Sequence, residues 1–389
     1  MTASALPAPA TTTAELRDHV RDAVARRRAL RITGRGSWLD ANRPVSDAAP
    51  LSTRSVTGIV EYVPGDLTLT ARAGTTLDEI ARATAAHDQW LALDPVGDPT
   101  RSTIGATVAT ASYGPLAHHF GTPRDMTLGL EFVTGKGDVV RGGGRVVKNV
   151  AGFDLTRLLT GSWGSLGVIT EVTVRLRALP AVQCTVAIDA TSSAVESIEH
   201  LAMGLRRLPF VPFSAQLLHP ASAEGVGASS GRTTLLLRIG GNGEAVQAQR
   251  HQLAALGEVR DAPDLAWDTL RAPEPTGTAV VRLSHLASRF AETWFEAVRL
   301  VEAFSGYCHG DPGRGVVRCV FPIDPDDDVE RVHRSLSTPF VGTRVFERLP
   351  AALWALVAPS AVADGLSRRI KRAFDPANVL NPGILGEAE

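Results

Sequence analysis

The stretch VVKNVAGFDLTRLLTGSWGSLGVITEVTVRL occupies residues 146–176, and its reading decides how the rest of the chain is understood. Gly161, Gly164 and Gly167 follow one another at every third position, and a run of β-branched residues comes next. Glycine loses more backbone entropy on folding than any other residue. Such a cluster is kept where the backbone needs positive φ or where something must come close. DLTRLLTG reads as a short helix ending at Gly161, and LGVITEVTVRLRAL as a long strand. Taken alone, the segment fits two descriptions: an irregular loop feeding a strand, or a backbone surface offered to a ligand.

Three other stretches share this composition: GRGSW at 34–38, STIGATVATASYG at 102–114 and FGTPRD at 120–125. Successive backbone N–H groups in such turns form concavities that bind phosphate oxygens. Several together suit a large ligand such as a dinucleotide. The Rossmann fingerprint does not apply. GRGSWL lacks the third glycine, and Asn42–Arg43–Pro44 follows in place of a helix. No acidic residue stands about twenty positions on in a second strand. A Walker A loop is missing too. The residues by themselves leave a dinucleotide site outside the Rossmann class beside plain tight turns in a β-rich domain.

The 389 residues predict two domains. With 44% hydrophobic residues, 21% charged residues and a net charge of −1, no global field favours nucleic acid. The basic run at 26–28 reads as a solvated helix face. Cys184, Cys308 and Cys319 form no C-x-x-C pair, which argues against zinc, an iron–sulfur cluster or a disulfide framework and suits the cytoplasm. MTASALPAPATTT reads as a disordered leader, not a secretory signal. No apolar run reaches the ~18 residues of a membrane span. Farther along, VTGIVEYV and LTLTARAG alternate as strands, and Thr76 with Glu79 predicts a capping box. LGLEFVTGKGDVVRG predicts a hairpin turning at Gly135–Lys136–Gly137. Residues 94–114 show no clear period. After Pro180, strands and amphipathic helices alternate, as in an α+β layer.

The opening stretch resembles the block K-N-x-x-G-[YF]-D-L-x-x-L-x-x-G-S-x-G-x-L-G-[VI]-[IL]-T of FAD-linked oxidases with the vanillyl-alcohol oxidase type of flavin-binding fold. TIGATVATASYG resembles that family's second phosphate loop, GRGSW its first, and FDPANVLNPG at 374–383 its C-terminal signature. In spacing and length the chain is most similar to FAD-binding subunits of glycolate oxidase complexes. The resemblance implies an α+β chain with a two-part vanillyl-alcohol oxidase/PCMH-type FAD-binding domain and an α+β, ferredoxin-like cap. The implied division is a leader at 1–13, an FAD-binding domain at 14–180, a cap or substrate domain at 181–350, and a C-terminal helix and NPG tail at 351–389 returning to the FAD domain. It also implies that Gly34, Arg35, Gly36 and Ser37 cradle the pyrophosphate, with Thr103, Ile104 and Gly105 adding contacts. Ala109, Thr110 and Gly114 line the flavin path. Gly164 and Gly167 allow close backbone approach, Val168 and Ile169 wall the adenine end, and Asn381 returns towards the flavin.

Departures from the family pattern refine this. Phe153 stands where Tyr is common, and Trp163 where Glu is common. Neither phosphate loop holds the histidine that tethers flavin in many relatives, so FAD is expected to be non-covalent. CHGDPGRGVVR at 308–318 lacks the second histidine of the family's metal motif, so no metal is expected. A 2-hydroxy acid needs a cation for its carboxylate, and Arg238, Arg282 and Arg318 sit in strand-like surroundings. His219 and Tyr307 are candidate bases, but no catalytic base is assigned. The implied activity is oxidation of glycolate or a similar small D-2-hydroxy acid by hydride transfer to FAD. Electrons then pass to a second flavin subunit and an iron–sulfur subunit, placing the chain in the cytoplasm, peripheral to a membrane through those partners. The alternatives are a non-catalytic electron-relay subunit and a stand-alone polyol or sugar oxidase. LPAALWALVAP at 349–359 is the candidate docking face.

Overall fold

The computed structural model describes residues 10–144, 153–275, 277–324 and 329–386. Residues 1–9 and the Lys148–Asn149 part of the opening motif lie outside the described residues. The chain divides into two compact units. The first comprises the described parts of Met1–Tyr113, Thr122–Leu179 and Ser360–Glu389, and the second comprises Gly114–Gly121 and Pro180–Pro359.

The first unit is built on a five-stranded antiparallel sheet. Its spatial order is Ile59–Val63, Thr68–Arg72, Val168–Arg175, Thr127–Val133, Val139–Gly143. Alternation along each strand sends neighbours to opposite faces. Phe132 and Ile169 pack into one core with Ile80, Ile104 and Leu159, which come from three helices. Val133 and Val168 pack into a second core with Leu16 and Val20 of the helix Thr13–Arg26 and with Val379 and Leu380 of the tail. A two-stranded parallel ladder, Leu30–Thr33 with Ala49–Ser52, stands beside this second core. Both predicted capping contacts form at Thr76 and Glu79, and the hairpin after Val133 pairs as expected. The expected leader boundary at residue 13 moves back, because Ala10 is buried and Thr12 caps the first helix through Glu15.

The second unit is an eight-stranded antiparallel sheet. Leu235, Leu237 and Ile239 of the strand Thr234–Gly241 face a core shared with the helices Val195–Arg207, Gly243–Leu253 and Phe290–Glu302, while Leu236 faces a smaller cluster around Trp267. Apolar groups on both faces explain the unbroken run TTLLLRIG. The expected docking face at 349–359 is corrected here. Leu349, Leu353 and Trp354 are buried in the unit's own core, and the Trp354 Nε1 donates to the Leu349 carbonyl at 3.2 Å.

Trp294 is among the largest fully buried side chains and sits at the centre of the second unit's core. Trp294→Ala should cost ~3–5 kcal/mol. The check is the denaturant midpoint, and a loss below ~1 kcal/mol would mean that the helix Phe290–Glu302 is not packed as described.

Candidate functional site

Three loops and the tail of the first unit line a cleft that opens to solvent. Its lining includes Thr33, Gly34, Arg35, Gly36, Ser37, Trp38, Thr53, Gly105, Ala109, Thr110, Trp163, Gly164, Gly167, Ile169 and Asn381.

The first loop leaves the strand Leu30–Thr33. Thr53 donates to the Thr33 carbonyl through its N–H at 2.9 Å and its hydroxyl at 3.3 Å. The Ser52 hydroxyl donates to the Gly34 carbonyl at 2.8 Å. These bonds fix the loop from its carbonyl side. Among the described residues no acceptor takes the N–H groups of Gly34, Arg35 or Gly36. Gly36 has φ +80°, a left-handed turn that glycine adopts without strain. Three consecutive open N–H groups beside a cleft form the concavity that anionic oxygens occupy. The pyrophosphate of a dinucleotide fits this donor set.

The second loop behaves differently. Thr103 caps the helix Ile104–Thr110, its hydroxyl accepting from the Ala106 N–H at 3.3 Å. The Ile104 and Gly105 N–H groups donate to the Thr75 and Ala73 carbonyls, each at 2.9 Å. These donors are therefore engaged inside the fold. Thr103 and Ile104 are buried and do not line the cleft. A Cβ on Gly105 would lie 2.6 Å from the Ala73 Cβ and 2.8 Å from its carbonyl. Gly105 is thus small because two backbones touch. Its Cα side faces the protein, whatever its other side offers a ligand.

The third loop is held by Trp163 N–H to the Ala109 carbonyl at 2.8 Å and by Gly161 N–H to the Val108 carbonyl at 3.0 Å. Trp163 has φ +54° and Gly164 φ +71°. A Cβ on Gly167 would lie 2.6 Å from the Phe132 ring, so this glycine also serves close packing. Val168 is fully buried in the second core, whereas Ile169 reaches the cleft. Asn381 ties the parts together. Its Oδ1 accepts from the Ile32 N–H at 2.7 Å, and its Nδ2 donates to the Trp163 carbonyl at 2.6 Å.

Of the residues expected at the cofactor, Gly34, Arg35, Gly36, Ser37, Gly105, Ala109, Thr110, Gly164, Gly167, Ile169 and Asn381 meet in this cleft. Thr103, Ile104 and Val168 stand behind it, and Gly114 belongs to the segment that joins the second unit. The residue-level reading missed Thr33, Thr53, Ala106, Trp38 and Trp163 as cleft lining. The two indoles pack edge to face with centroids 6.0 Å apart. A signal for them exists: the triplet Gly-Ser-Trp occurs at 36–38 and again at 161–163.

The three arginines expected to meet a substrate carboxylate lie on the second unit's sheet face away from its main core. Arg282 pairs with Glu347 at 3.1 Å. Arg318 is ion-paired to Glu274, and to Glu347 at 3.0 Å. Burial opposes the Arg318 charge, but Glu347 and Glu274 outweigh it and hold the guanidinium above its usual range. Arg238 stacks over Trp267 at 5.0 Å. Carboxylates of the fold thus answer the charges of Arg282 and Arg318. The His309 Nδ1–H donates to the Gln216 Oε1 at 2.8 Å. Burial, with Arg318 beside it, pushes its imidazole down to about 3. Burial also lowers His219 and raises Tyr307. Among the described residues no group of three or more His, Cys, Asp or Glu is arranged to hold a metal.

Comparison with known proteins completes the picture. The chain has the vanillyl-alcohol oxidase type of FAD-binding fold. It superposes on p-cresol methylhydroxylase with a TM-score of 0.75 at 15% identity, over 97% of this chain and 88% of that one. Residues 6–143 match the family described as FAD binding domain, so the chain carries such a domain and FAD is its cofactor. It is 37% identical to glycolate oxidase subunit GlcE of Escherichia coli (strain K12) over 187 residues, 48% of this chain and 53% of that protein. The matched stretch thus spans about half the length of that relative. Identity to glycolate oxidase subunit GlcD of Bacillus subtilis (strain 168) is 26% over 376 residues, 87% of this chain and 80% of that protein.

Two outcomes follow from this geometry. Gly36→Val should abolish FAD binding with little change in far-ultraviolet circular dichroism, whereas Gly105→Ala should lower stability by ~1–3 kcal/mol through overpacking on Ala73. Flavin content and denaturant midpoint measured on both variants check the pair, and full flavin occupancy in Gly36→Val would remove the first loop from the site. The second outcome concerns pH. His309 is neutral when folded, with its folded value depressed to about 3, and titrates near 6.5 when unfolded. Between those values the unfolded state binds more protons. Stability is therefore complete above the unfolded value and falls as pH drops towards 3, by ~1.4 kcal/mol per pH unit over that window. His309→Gln should flatten the profile between about pH 6 and 5; an unchanged slope would show that the buried imidazole is not its source.

Proposed function

We propose that this protein is an FAD-dependent oxidoreductase subunit that oxidises glycolate, or a similar small D-2-hydroxy acid, to the 2-oxo acid and passes the electrons to partner subunits. Similarity to two glycolate oxidase subunits, one of them along 87% of this chain, carries the reading. The cleft geometry supports it. The N–H groups of Gly34, Arg35 and Gly36 would hold the pyrophosphate of FAD, and Ala109, Thr110, Gly164 and Ile169 would offer it a small-residue and apolar wall. Bound there, FAD supplies the hydride acceptor that amino-acid side chains lack. No histidine, cysteine or tyrosine lines the cleft among the described residues, which supports a non-covalent flavin.

Three scattered cysteines, two of them buried, are too few for a four-thiolate cluster. That supports electron exit through a second flavin subunit and an iron–sulfur subunit. Among the described residues no helix is long and apolar enough to cross a membrane. A second reading, a flavin-bearing relay subunit whose sister chain does the chemistry, is favoured by the pairing of Arg282 and Arg318 with carboxylates of the fold.

Anaerobic mixing with glycolate, D-lactate, polyols and sugars separates these readings. Bleaching of the flavin by a 2-hydroxy acid is expected, and acid precipitation should release intact FAD into the supernatant. Bleaching by sugars or polyols alone would overturn the substrate class, and flavin retained in the pellet would overturn the non-covalent assignment. With a dye acceptor the isolated chain should turn over slowly and co-expressed partners should restore the rate. Fast peroxide production by the chain alone would defeat the subunit reading.

A further inference from the structure

We propose that a second cavity of the first unit binds a single aliphatic chain with an anionic head, a carboxylate or a phosphate, independently of the oxidation proposed above. The cavity is lined by the helix Gly365–Phe374, the loop at 160–166 and the tail that follows the helix. Every residue in its lining belongs to the first unit. It shares a loop with the cofactor cleft but no residue. Trp163 and Gly164 line the cleft, whereas Ser162, Ser165 and Leu166 line the cavity.

The head is read from the helix. Its sequence, GLSRRIKRAF, holds four cations and no acid. Ile370 and Phe374 moor it against the first core. Lys371 is fully used: its Nζ donates to the Asp375 carboxylate at 2.8 Å, the Ser165 carbonyl at 2.9 Å and the Leu380 carbonyl at 3.0 Å. An ammonium has three hydrogens, so none is left for a ligand. Arg368 and Arg372 also line the cavity. Among the described residues neither guanidinium has a partner. The two stand one helical turn apart, at i and i+4, where like charges repel. Asp375 does not answer them, because its carboxylate is taken by Lys371 and by the Val379 and Leu380 N–H groups. An anion held by both arginines removes the repulsion, and the guanidinium fork matches a carboxylate or a phosphate.

The tail is read from the rest of the lining. Leu158, Leu166, Val362, Ile370 and Leu385 supply an apolar floor. Leu158 and Ile370 stand half-buried at the edge of the first core, with apolar surface still open to water. An aliphatic chain gains by covering it. A peptide is the poorer fit. The N–H groups of Thr160, Gly161, Ser162, Ser165, Asp375 and Asn378 are already bonded within the unit, so an incoming backbone would find few donors. An alkyl chain needs none. This chemistry is common to a free amphiphile and to the anionic lipid of a bilayer.

The test uses the full chain loaded with FAD and does not depend on turnover. Calorimetric titration with decyl phosphate, kept below its micellar concentration, should show saturable binding at one site, and decanoate should compete. Inorganic phosphate should bind at least ~100-fold more weakly, because it lacks the chain. Replacing both arginines, Arg368→Ala with Arg372→Ala, should weaken decyl phosphate by about 10-fold or more. Arg369→Ala, outside the lining, should keep the wild-type affinity. Val362→Trp should fill the floor and block binding; if that variant does not fold, the double arginine variant decides. Flotation with phosphatidylcholine vesicles, with and without phosphatidylglycerol, identifies the source. Flotation only with phosphatidylglycerol, lost in the double arginine variant, assigns a membrane lipid, and binding in the titration without flotation assigns a free amphiphile. The proposal is overturned if neither decyl phosphate nor decanoate binds saturably, if the double arginine variant keeps the wild-type affinity, or if inorganic phosphate binds as tightly as decyl phosphate. Binding of oligoglutamate in place of decyl phosphate would also overturn it and assign the cavity to an acidic protein partner.

Discussion

The cofactor cleft depends on the side-chain amide of Asn381. Its two principal walls, the loops at 34–38 and 161–167, are far apart in sequence and pair with no common strand. The amide accepts from Ile32 with one atom and donates to Trp163 with the other, at 2.7 and 2.6 Å, from a position only 2% exposed. An aspartate would present two acceptors and a leucine none, so only a side chain with one donor and one acceptor fills both contacts. Asn381 also has φ +41°, which asparagine tolerates better than most residues. The tail that carries it is itself anchored. The buried Asp375 carboxylate accepts from the Val379 and Leu380 N–H groups, and the Lys371 ammonium donates to Asp375, to the Leu380 carbonyl and to the Ser165 carbonyl. A residue near the chain's end thereby sets the spacing between loops near its start and its middle.

This arrangement changes what the glycine clusters mean. Glycine in such loops invites the interpretation that a ligand touches each one. Gly36 and Gly164 do adopt left-handed backbone beside the cleft. Gly105 and Gly167 also reach the cleft, yet their missing side chains are required by Ala73 and Phe132. Gly34 is pressed against Thr103 in the same way. The loops are glycine-rich as much to pack against one another as to admit a cofactor. The three engaged N–H groups at the start of the helix Ile104–Thr110 make the same point. That helix is a structural floor, and the open donors belong to Gly34–Gly36.

What the sequence disclosed follows the range of the forces involved. The strands at 59–63 and 68–72, the capping box at Thr76 and the hairpin after Val133 are local, and alternation or turn chemistry reveals them. The cleft was legible through the motif because its spacing preserves contacts that periodicity does not encode. Residues 94–114 showed no period because the helix within them is two turns long and buried on most sides, so it carries no polar stripe. The destination of Gly114–Gly121 was hidden because the contacts that place it, such as His118 to Asp311, span almost two hundred residues. The pairing of Arg282 with Glu347 is likewise a property of sheet register, which no single strand displays.

The second unit's sheet carries its chemistry on one face. Cys308, Val317, Cys319, Val281 and Leu283 point into the main core. Strand alternation therefore sends His309, Asp311, Arg318 and Arg282 to the opposite side. Register makes this a row: His309 stands opposite Arg318, and Arg318 opposite Arg282. Each charge in the row is met in a different way. Arg282 and Arg318 share Glu347, His309 is kept neutral against Gln216, and Asp311 is satisfied by His118 and two backbone N–H groups. CHGDPGRG, which resembles a metal motif when read linearly, is thus divided between two hydrogen-bonded pairs that share a strand but point their donors to different partners. In the first pair the imidazole is withdrawn from acid–base chemistry by burial beside a guanidinium. In the second, the Asp311 carboxylate meets the His118 imidazole at 2.7 Å and two backbone N–H groups besides, so residues two apart on one strand are satisfied by partners from different parts of the chain.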